Sequence, residues 1–368
     1  MKWMYLPAVF ALAFFYTKTS FTHFLPQKVS MAMPAMRKPA SLVENRKPGV
    51  KRTTPSDMYK ILATHGVSSF ADVASFKGVI VSDAHVENFG FVIGDNKKSQ
   101  YTIMDFSEIS QGQLYLDVIT HLVSSKAVDK NISWMQYFEA YKKGLKREAH
   151  TNSFYVLQGN ENALANSEIF IQQNIGSDHG IKFQKLKKGY HSVENKEKVV
   201  IEKELKKHFS KAEFFDMKES DIHAGSYHVL ARLRPLDKVQ WVILREKKES
   251  DHDEVYGHED IFTTKGYQEL LKVNIYSGHL DRSLMVLTID SKPFVLKYAE
   301  QFATKLTLEE IPFEDYQDII LDQAYALGLI HSTSLGSQVD NYIKGWAKIP
   351  AAIIDEKAVE FKHSLRDQ

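Results

Sequence analysis

The stretch Gly78–Asp105, GVIVSDAHVENFGFVIGDNKKSQYTIMD, limits the fold more than any other part of the chain. Gly78–Val81 is a short apolar run of the kind that forms a buried strand. It stops in Ser82-Asp83-Ala84-His85-Val86-Glu87-Asn88, a polar loop rich in groups that can hold a proton or a metal. Phe89–Ile93 and Tyr101–Met104 are apolar, aromatic and β-branched, and Gly94-Asp95-Asn96 between them is turn chemistry. That pattern reads as a hairpin. A hairpin brings its ends together, so Asn88 and Asp105 are expected side by side, with Asp83 one turn of loop away.

That arrangement suits phosphoryl transfer. The reaction needs a carboxylate to orient or deprotonate an attacking hydroxyl, and an Asn and an Asp oxygen to hold the magnesium on the nucleotide phosphates. Asp83 and Asn88 have the Asp-x-x-x-x-Asn spacing of a kinase catalytic loop, and Asp105 stands where kinases place a second magnesium ligand. The plainer alternative is a solvated loop, with Asp105 capping the helix that follows.

Composition narrows the remaining classes. The 368 residues are 43% hydrophobic and 25% charged, enough for one large or two medium globular domains. A formal net charge of +1 provides no global field for nucleic acid. With no cysteine, disulfides and thiolate zinc sites are excluded. Met1–Tyr16 opens with Lys2 and continues uncharged and apolar, short for a spanning helix and suited to a signal-peptide core. The expectation is export to the periplasm or beyond, with Ser30-Met31-Ala32 as the nearest cleavage site, or an uncleaved membrane anchor. A start at Met31 or Met33 would leave the protein in the cytoplasm. Thr17–Pro55 carries eight Lys or Arg, one acid and five prolines, and reads as a linker that could rest near anionic lipid.

Down the chain, Pro55–Phe76 reads as helical with a break at Gly66. Leu114–Val128 and Trp134–Ala149 are further helices, the first containing Asp117 and His121. In kinase-like folds a buried acid on such a helix braces the catalytic loop; the alternative is a surface acid. His121 reads as a packed or exposed residue rather than a ligand. Thr151–Gly189 is too weakly patterned to assign. Lys198–Phe209 is a charged helix with a solvated face. Asp221–Ser250 holds a hairpin, Tyr227–Leu233 with Val239–Glu246, opened by Ala224-Gly225-Ser226 and ended by Lys247-Lys248-Glu249. A glycine-bearing hairpin with a lysine on the neighbouring strand can cover and clamp nucleotide phosphates; an ordinary hairpin with a charged end is the alternative. Gly266–Val273 suggests a helix, with Glu269 a lysine partner. Leu284–Ile289 with Ser291–Tyr298 forms another hairpin, and Tyr316–Ser334 and Ala351–Leu365 are helices. His331, on the buried repeat of the first, is a packed histidine or faces the site.

These motifs together resemble a bacterial family, domain of unknown function 2252, distantly related to protein kinases and aminoglycoside phosphotransferases. The family pattern GDAHxxNFG is matched by Ser82–Gly90, with Ser82 in place of its first glycine. FDxNDFDE is approximated by Thr102–Glu108, and the following tryptophan-aspartate helix by Leu116-Asp117. GxGSxGxxRY is partly kept in Ala224-Gly225-Ser226, with His228 in place of a later glycine and Arg232 on the same strand. LKEA is kept as Lys248-Glu249-Ser250, VREL as Val295–Tyr298 and AHARS as Ile330–Ser334. The resemblance covers roughly Arg52 to the end.

The resemblance implies an α+β, protein-kinase-like two-lobe fold in circularly permuted order. Residues 55–150 would hold the catalytic loop, 215–300 the nucleotide-covering sheet, and 301–368 helices returning to the larger lobe. Residues 1–30 would be a leader or anchor and 31–54 a linker. The implied activity is magnesium- and ATP-dependent phosphotransfer to a small molecule or protein. Asp83 would be the base, His85 would orient the loop, and Asn88 and Asp105 would hold Mg2+. Gly225, Ser226 and Lys248, or alternatively Lys247, would hold the nucleotide. Nucleotide transfer, a nucleotide-binding pseudokinase or interaction module, and a divalent-metal hydrolase using Asp83, His85 and Asp105 remain alternatives. An exported enzyme would meet little ATP, which sets the amino-terminal expectation against the catalytic one.

Overall fold

The computed structural model describes residues 59–63, 67–94, 97–104, 109–176, 181–184, 189–221, 225–233, 239–247, 284–301, 304–306 and 311–364. The expected leader and linker, and the helix expected over 266–273, lie outside them. The helical expectation for 55–76 holds in pieces: residues 59–63, a 3-10 turn at Val67–Phe70 and one α-turn at Ala71–Ala74. β1 (Lys77–Ile80) follows at once. β2 (Phe89–Ile93) and β3 (Ser99–Ile103) form the expected hairpin, with Phe89 opposite Ile103 and the Gly94 amide donating to the Lys98 carbonyl. Every residue of β2 is buried, which is why it reads as a continuous apolar run. β4 (Ser110–Gln113) returns to pair with β1, Gly78 opposite Gly112.

α1 (Tyr115–Val128) is buried on all sides from Tyr115 to Val123, so it is a core helix with no solvated stripe. α2 (Trp134–Leu145) starts at a capping box in which Ser133 and Gln136 satisfy each other's backbone amides. Residues 151–189, unassigned from sequence, contain α3 (Phe154–Asn174) and the short pair β5 (Ile175–Gly176) and β6 (Lys182–Phe183).

Six antiparallel strands form the second large element: β7 (Tyr190–Ser192), β8 (Glu213–Ser220), β9 (Ser226–Arg232), β10 (Val239–Glu246), β11 (Leu284–Ile289) and β12 (Lys292–Tyr298). Their spatial order is β11-β12-β10-β9-β8-β7. α4 (Asn195–His208) lies on one face, burying Ile201 and Leu205 against Met217, Val229, Val242, Leu244 and Leu296. Trp241 and Leu230 point to the other face, where Phe170 and Ile171 of α3 and Phe183 pack on them. Val286 and Val295 on the sheet join the main core. After β12 the turn Ala299–Gln301 packs between β10 and β2, and Thr304 then pairs with Phe91. The chain thus passes from the sheet back to the hairpin.

α5 (Tyr316–Leu335) ends at Gly336, whose φ of 51° is a positive value that glycine adopts without strain and that turns the chain out of the helix. It crosses α2 at two glycines. A Cβ on Gly328 would lie 2.2 Å from the Tyr141 carbonyl oxygen, and one on Gly144 2.1 Å from that of Tyr325. α6 (Val339–Lys348), not foreseen from sequence, and α7 (Ala351–Ser364) close the core around Trp346 and Phe361. The α+β class expected from sequence is what the chain adopts. No described helix is long and apolar enough to cross a membrane.

Candidate functional site

Side chains from α1, α5 and the start of the described chain brace the acidic loop. Asp117, fully buried on α1, accepts from the Val81 amide at 2.7 Å through Oδ2 and from the Ser82 amide at 3.2 Å through Oδ1. The His331 ring on α5 faces the same Oδ2 through Nε2 at 3.2 Å, and its Nδ1 lies 2.6 Å from the Tyr141 hydroxyl. A hydroxyl donating to Nδ1 leaves the ring proton on Nε2, pointed at the carboxylate. Burial raises the Tyr141 pKa well above its ordinary value, which keeps that hydroxyl a donor. The structure therefore places Asp117 beneath the loop, and His331 is a packed histidine one bond further back.

A second buried chain holds the other end. His121 Nδ1 lies 2.8 Å from the Tyr137 hydroxyl, and its Nε2 lies 3.0 Å from Gln323 Oε1. The Gln323 amide donates to the Val86 carbonyl at 3.0 Å and to the Tyr101 hydroxyl at 2.9 Å. Burial lowers the His121 pKa from 6.5 to about 4, so the ring stays neutral. Ser124, one turn past His121, accepts the Val86 amide at 3.1 Å. Asp117, His121 and Ser124 lie three and four residues apart, so one face of α1 meets the loop at Val81, Ser82 and Val86, with His121 acting through Gln323.

Within the loop, the side chains are fixed by short-range bonds. The Asn88 amide donates through Nδ2 to the Asp83 carbonyl at 3.0 Å, and its backbone amide donates to the His85 carbonyl. Asn88 is 4% exposed, and no described residue is hydrogen-bonded to its Oδ1. His85 Nδ1 accepts the Glu87 amide at 3.2 Å, capping the short turn Val86–Asn88. Its Nε2 faces Asp83 Oδ2 at 3.4 Å, with both side chains about a quarter exposed. The Met104 amide donates to the Asn88 carbonyl, so the hairpin end sits beside Asn88 as expected. Asp105, the next residue, lies outside the described residues.

Ser82 carries the backbone cost. Its φ is 65°, a conformation suited to glycine, and its hydroxyl is fully buried with no hydrogen-bond partner among the described residues. This is the position where the resembled pattern has glycine. The Tyr59 hydroxyl holds the Ser82 carbonyl at 2.8 Å.

On the sheet, Gly225 has φ 74°, and a Cβ there would lie 2.6 Å from Glu246 Oε2. Its carbonyl accepts the Glu246 amide, so it closes directly over the end of β10. Ser226 is buried and pairs with Arg245 across the ladder. The Lys247 amide donates to the Pro293 carbonyl, which carries the ladder one residue past β10. Strand alternation then puts Lys247 on the face of Trp241, Ile243 and Arg245, opposite the α4 face. Lys247 is 8% exposed, and Lys248 lies outside the described residues. His228, at the expected second glycine position, accepts from Trp241 Nε1 at 3.1 Å and meets the Tyr190 ring edge-on.

Sequence reasoning missed Gln323, Ser124, Tyr59 and Tyr101. Gln323 had a readable signal, because it lies on the same helical stripe as Ile319, Leu327 and Ile330. A polar residue on a buried stripe needs a partner. Among the described residues no group of three or more His, Asp or Glu is placed to hold a metal. No family model, curated protein or solved structure matches the chain.

Proposed function

We propose that this protein is a magnesium- and ATP-dependent phosphotransferase with a kinase-like, circularly permuted two-lobe fold, related to the family it resembles. The observation that carries this reading is the buried Asp117 carboxylate holding the Val81 and Ser82 amides. It fixes the backbone directly before Asp83 while leaving the Asp83 side chain partly open to solvent. Desolvating a carboxylate this fully is costly, and it is offset here by two hydrogen bonds from the loop and a third from His331 behind it.

Asp83 would take the proton of an attacking hydroxyl. His85 holds Asp83 from the side and caps the turn that carries Asn88. Asn88 fits a magnesium ligand: its amide nitrogen is engaged with the Asp83 carbonyl, which turns Oδ1 the other way as a hard oxygen donor. Asp105 would be the partner oxygen, and the bound cation would neutralise the phosphate charge. Gly225 and Ser226 begin the strand that would cover the phosphates. Of the two candidate lysines, Lys247 shares a sheet face with Arg245, and the main-core residues Val286 and Val295 adjoin Arg245 on that face. This favours Lys247 over Lys248 as the phosphate cation.

A thermal-shift titration tests the reading. ATP with magnesium is expected to stabilise the protein more than either alone, and Asp83→Asn should bind but not transfer phosphate. Equal stabilisation by nucleotide without metal would indicate a binding module. Stabilisation by zinc or manganese alone would indicate a metal hydrolase.

A further inference from the structure

Gln323 occupies an unusual place. It lies on α5, far along the chain from both the acidic loop and the hairpin, yet its one amide group touches three separate elements. Oε1 faces His121 on α1, and Nε2 donates to the Val86 carbonyl in the loop and to the Tyr101 hydroxyl on β3. It is 1% exposed, so each bond forms out of water. Val86 opens the turn that ends at Asn88, and β3 leads through Met104 to Asp105. The loop's other backbone anchors are Asp117 at the Val81 and Ser82 amides, Tyr59 at the Ser82 carbonyl, Ser124 at the Val86 amide and the Met104 amide at the Asn88 carbonyl; of the side chains that anchor it, Gln323 alone also binds β3.

We propose that Gln323 is a positioning residue that sets the acidic loop against the β2–β3 hairpin, and with it the place of Asn88 beside Met104. The assignment rests on the proposed function above. The geometry makes a specific division of labour: Asp117 fixes the start of the loop, and Gln323 fixes its end. The His121 ring is the back support. With Tyr137 donating to Nδ1, its Nε2 proton is directed to Gln323 Oε1, and this orients the amide so that both its protons go to Val86 and Tyr101. Phe89 packs against the same ring at 5.1 Å between centroids.

The test is peptide-resolved hydrogen exchange on the full chain, with magnesium-dependent binding of ATP as a second readout. Gln323→Met keeps the side chain's length and removes its hydrogen bonds. Exchange at Glu87, Asn88 and Met104 is expected to rise about fivefold, the effect of losing one net hydrogen bond. Val81 and Ser82, held by Asp117, should stay as protected as in the wild type. The magnesium concentration for half-maximal stabilisation by ATP should rise by roughly the same factor, while stabilisation by ATP without metal stays unchanged. Tyr101→Phe removes one acceptor and keeps the ring. It should show the same pattern at smaller size, and it decides the matter if Gln323→Met does not fold. A uniform rise across residues 81–104, or a lowered melting temperature with loop exchange and magnesium dependence unmoved, would overturn the proposal. If the wild type takes no magnesium-ATP, phosphotransfer falls, and the exchange pattern alone decides whether Gln323 sets the loop.

Discussion

The acidic loop and the six-stranded sheet are held by opposite means. The loop rests on two buried polar chains, Tyr141–His331–Asp117 and Tyr137–His121–Gln323, that end on its backbone. The sheet is held by apolar packing on both faces, α4 on one side and Phe170, Phe183 and Trp241 on the other. Apolar packing tolerates small shifts, because dispersion and burial have little direction. Hydrogen bonds do not, and a polar group left unpartnered in the core loses more than the bond was worth. On the proposed function, the contrast would suit a loop whose chemical groups need fixed geometry and a sheet whose part is to close over phosphate.

The first way to break this comparison is Asp117→Ala. Removing the carboxylate strands two buried backbone amides and a histidine, and the expected loss is about 4 kcal/mol of stability. Chemical denaturation measures it, and a loss below about 1 kcal/mol would mean the brace is not structural. Next, Leu205→Ala in the sheet should cost about 3 kcal/mol through the cavity it leaves under α4. Unlike the loop substitution, it should leave exchange at Val81 and Ser82 unchanged.

The third test is pH. His121 has a folded pKa of about 4 against 6.5 in the unfolded chain. Between those values the unfolded state binds the extra proton, so stability is complete above pH 6.5 and is lost as pH falls toward 4. The loss from this one group is about 3 kcal/mol. The groups around the ring are Tyr137, Gln323, Phe89 and, through space, His85. Denaturation curves at successive pH values should show the slope in the wild type and a flatter one in His121→Phe. A smaller effect of opposite sign is expected at Ser82→Gly. Relief of the positive φ and loss of an unpartnered buried hydroxyl should raise stability by about 1 kcal/mol. The smallest is Arg232→Ala, which breaks an exposed pair with Glu213 and should change stability by about 0.5 kcal/mol or less.

The same contrast explains what could be read from sequence. The β2–β3 and β11–β12 hairpins, β9 with β10, and the helices from Tyr115, Trp134 and Tyr316 follow from apolar periodicity, which local packing enforces, and the helix from Asn195 was legible over 198–209 from its charge pattern. α3 was hidden because it buries only Val156, Ala163 and Ser167 while exposing Phe154, Leu157 and Ile169, so no stripe stands out. In the site, Asp83, His85 and Asn88 are legible because their partners are within a few residues. Asp117 was legible as a brace by analogy with kinase-like folds, with a surface acid as the alternative that its burial removes. Gln323 joins residues more than 200 positions away, and no spacing rule reaches that far. The face that Lys247 takes follows from the register of β10 with β12, which the sequence does not print, and Lys248 lies outside the described residues.

The central claim is that Asn88 and Asp105 hold one divalent cation beside Asp83. A crystal grown with manganese and a non-hydrolysable ATP analogue tests it through anomalous scattering. The expected result is one peak at about 2.1 Å from Asn88 Oδ1 and an Asp105 carboxylate oxygen, touching the phosphates. A peak held instead by His85 with Asp83, or nucleotide bound away from this loop, would contradict it.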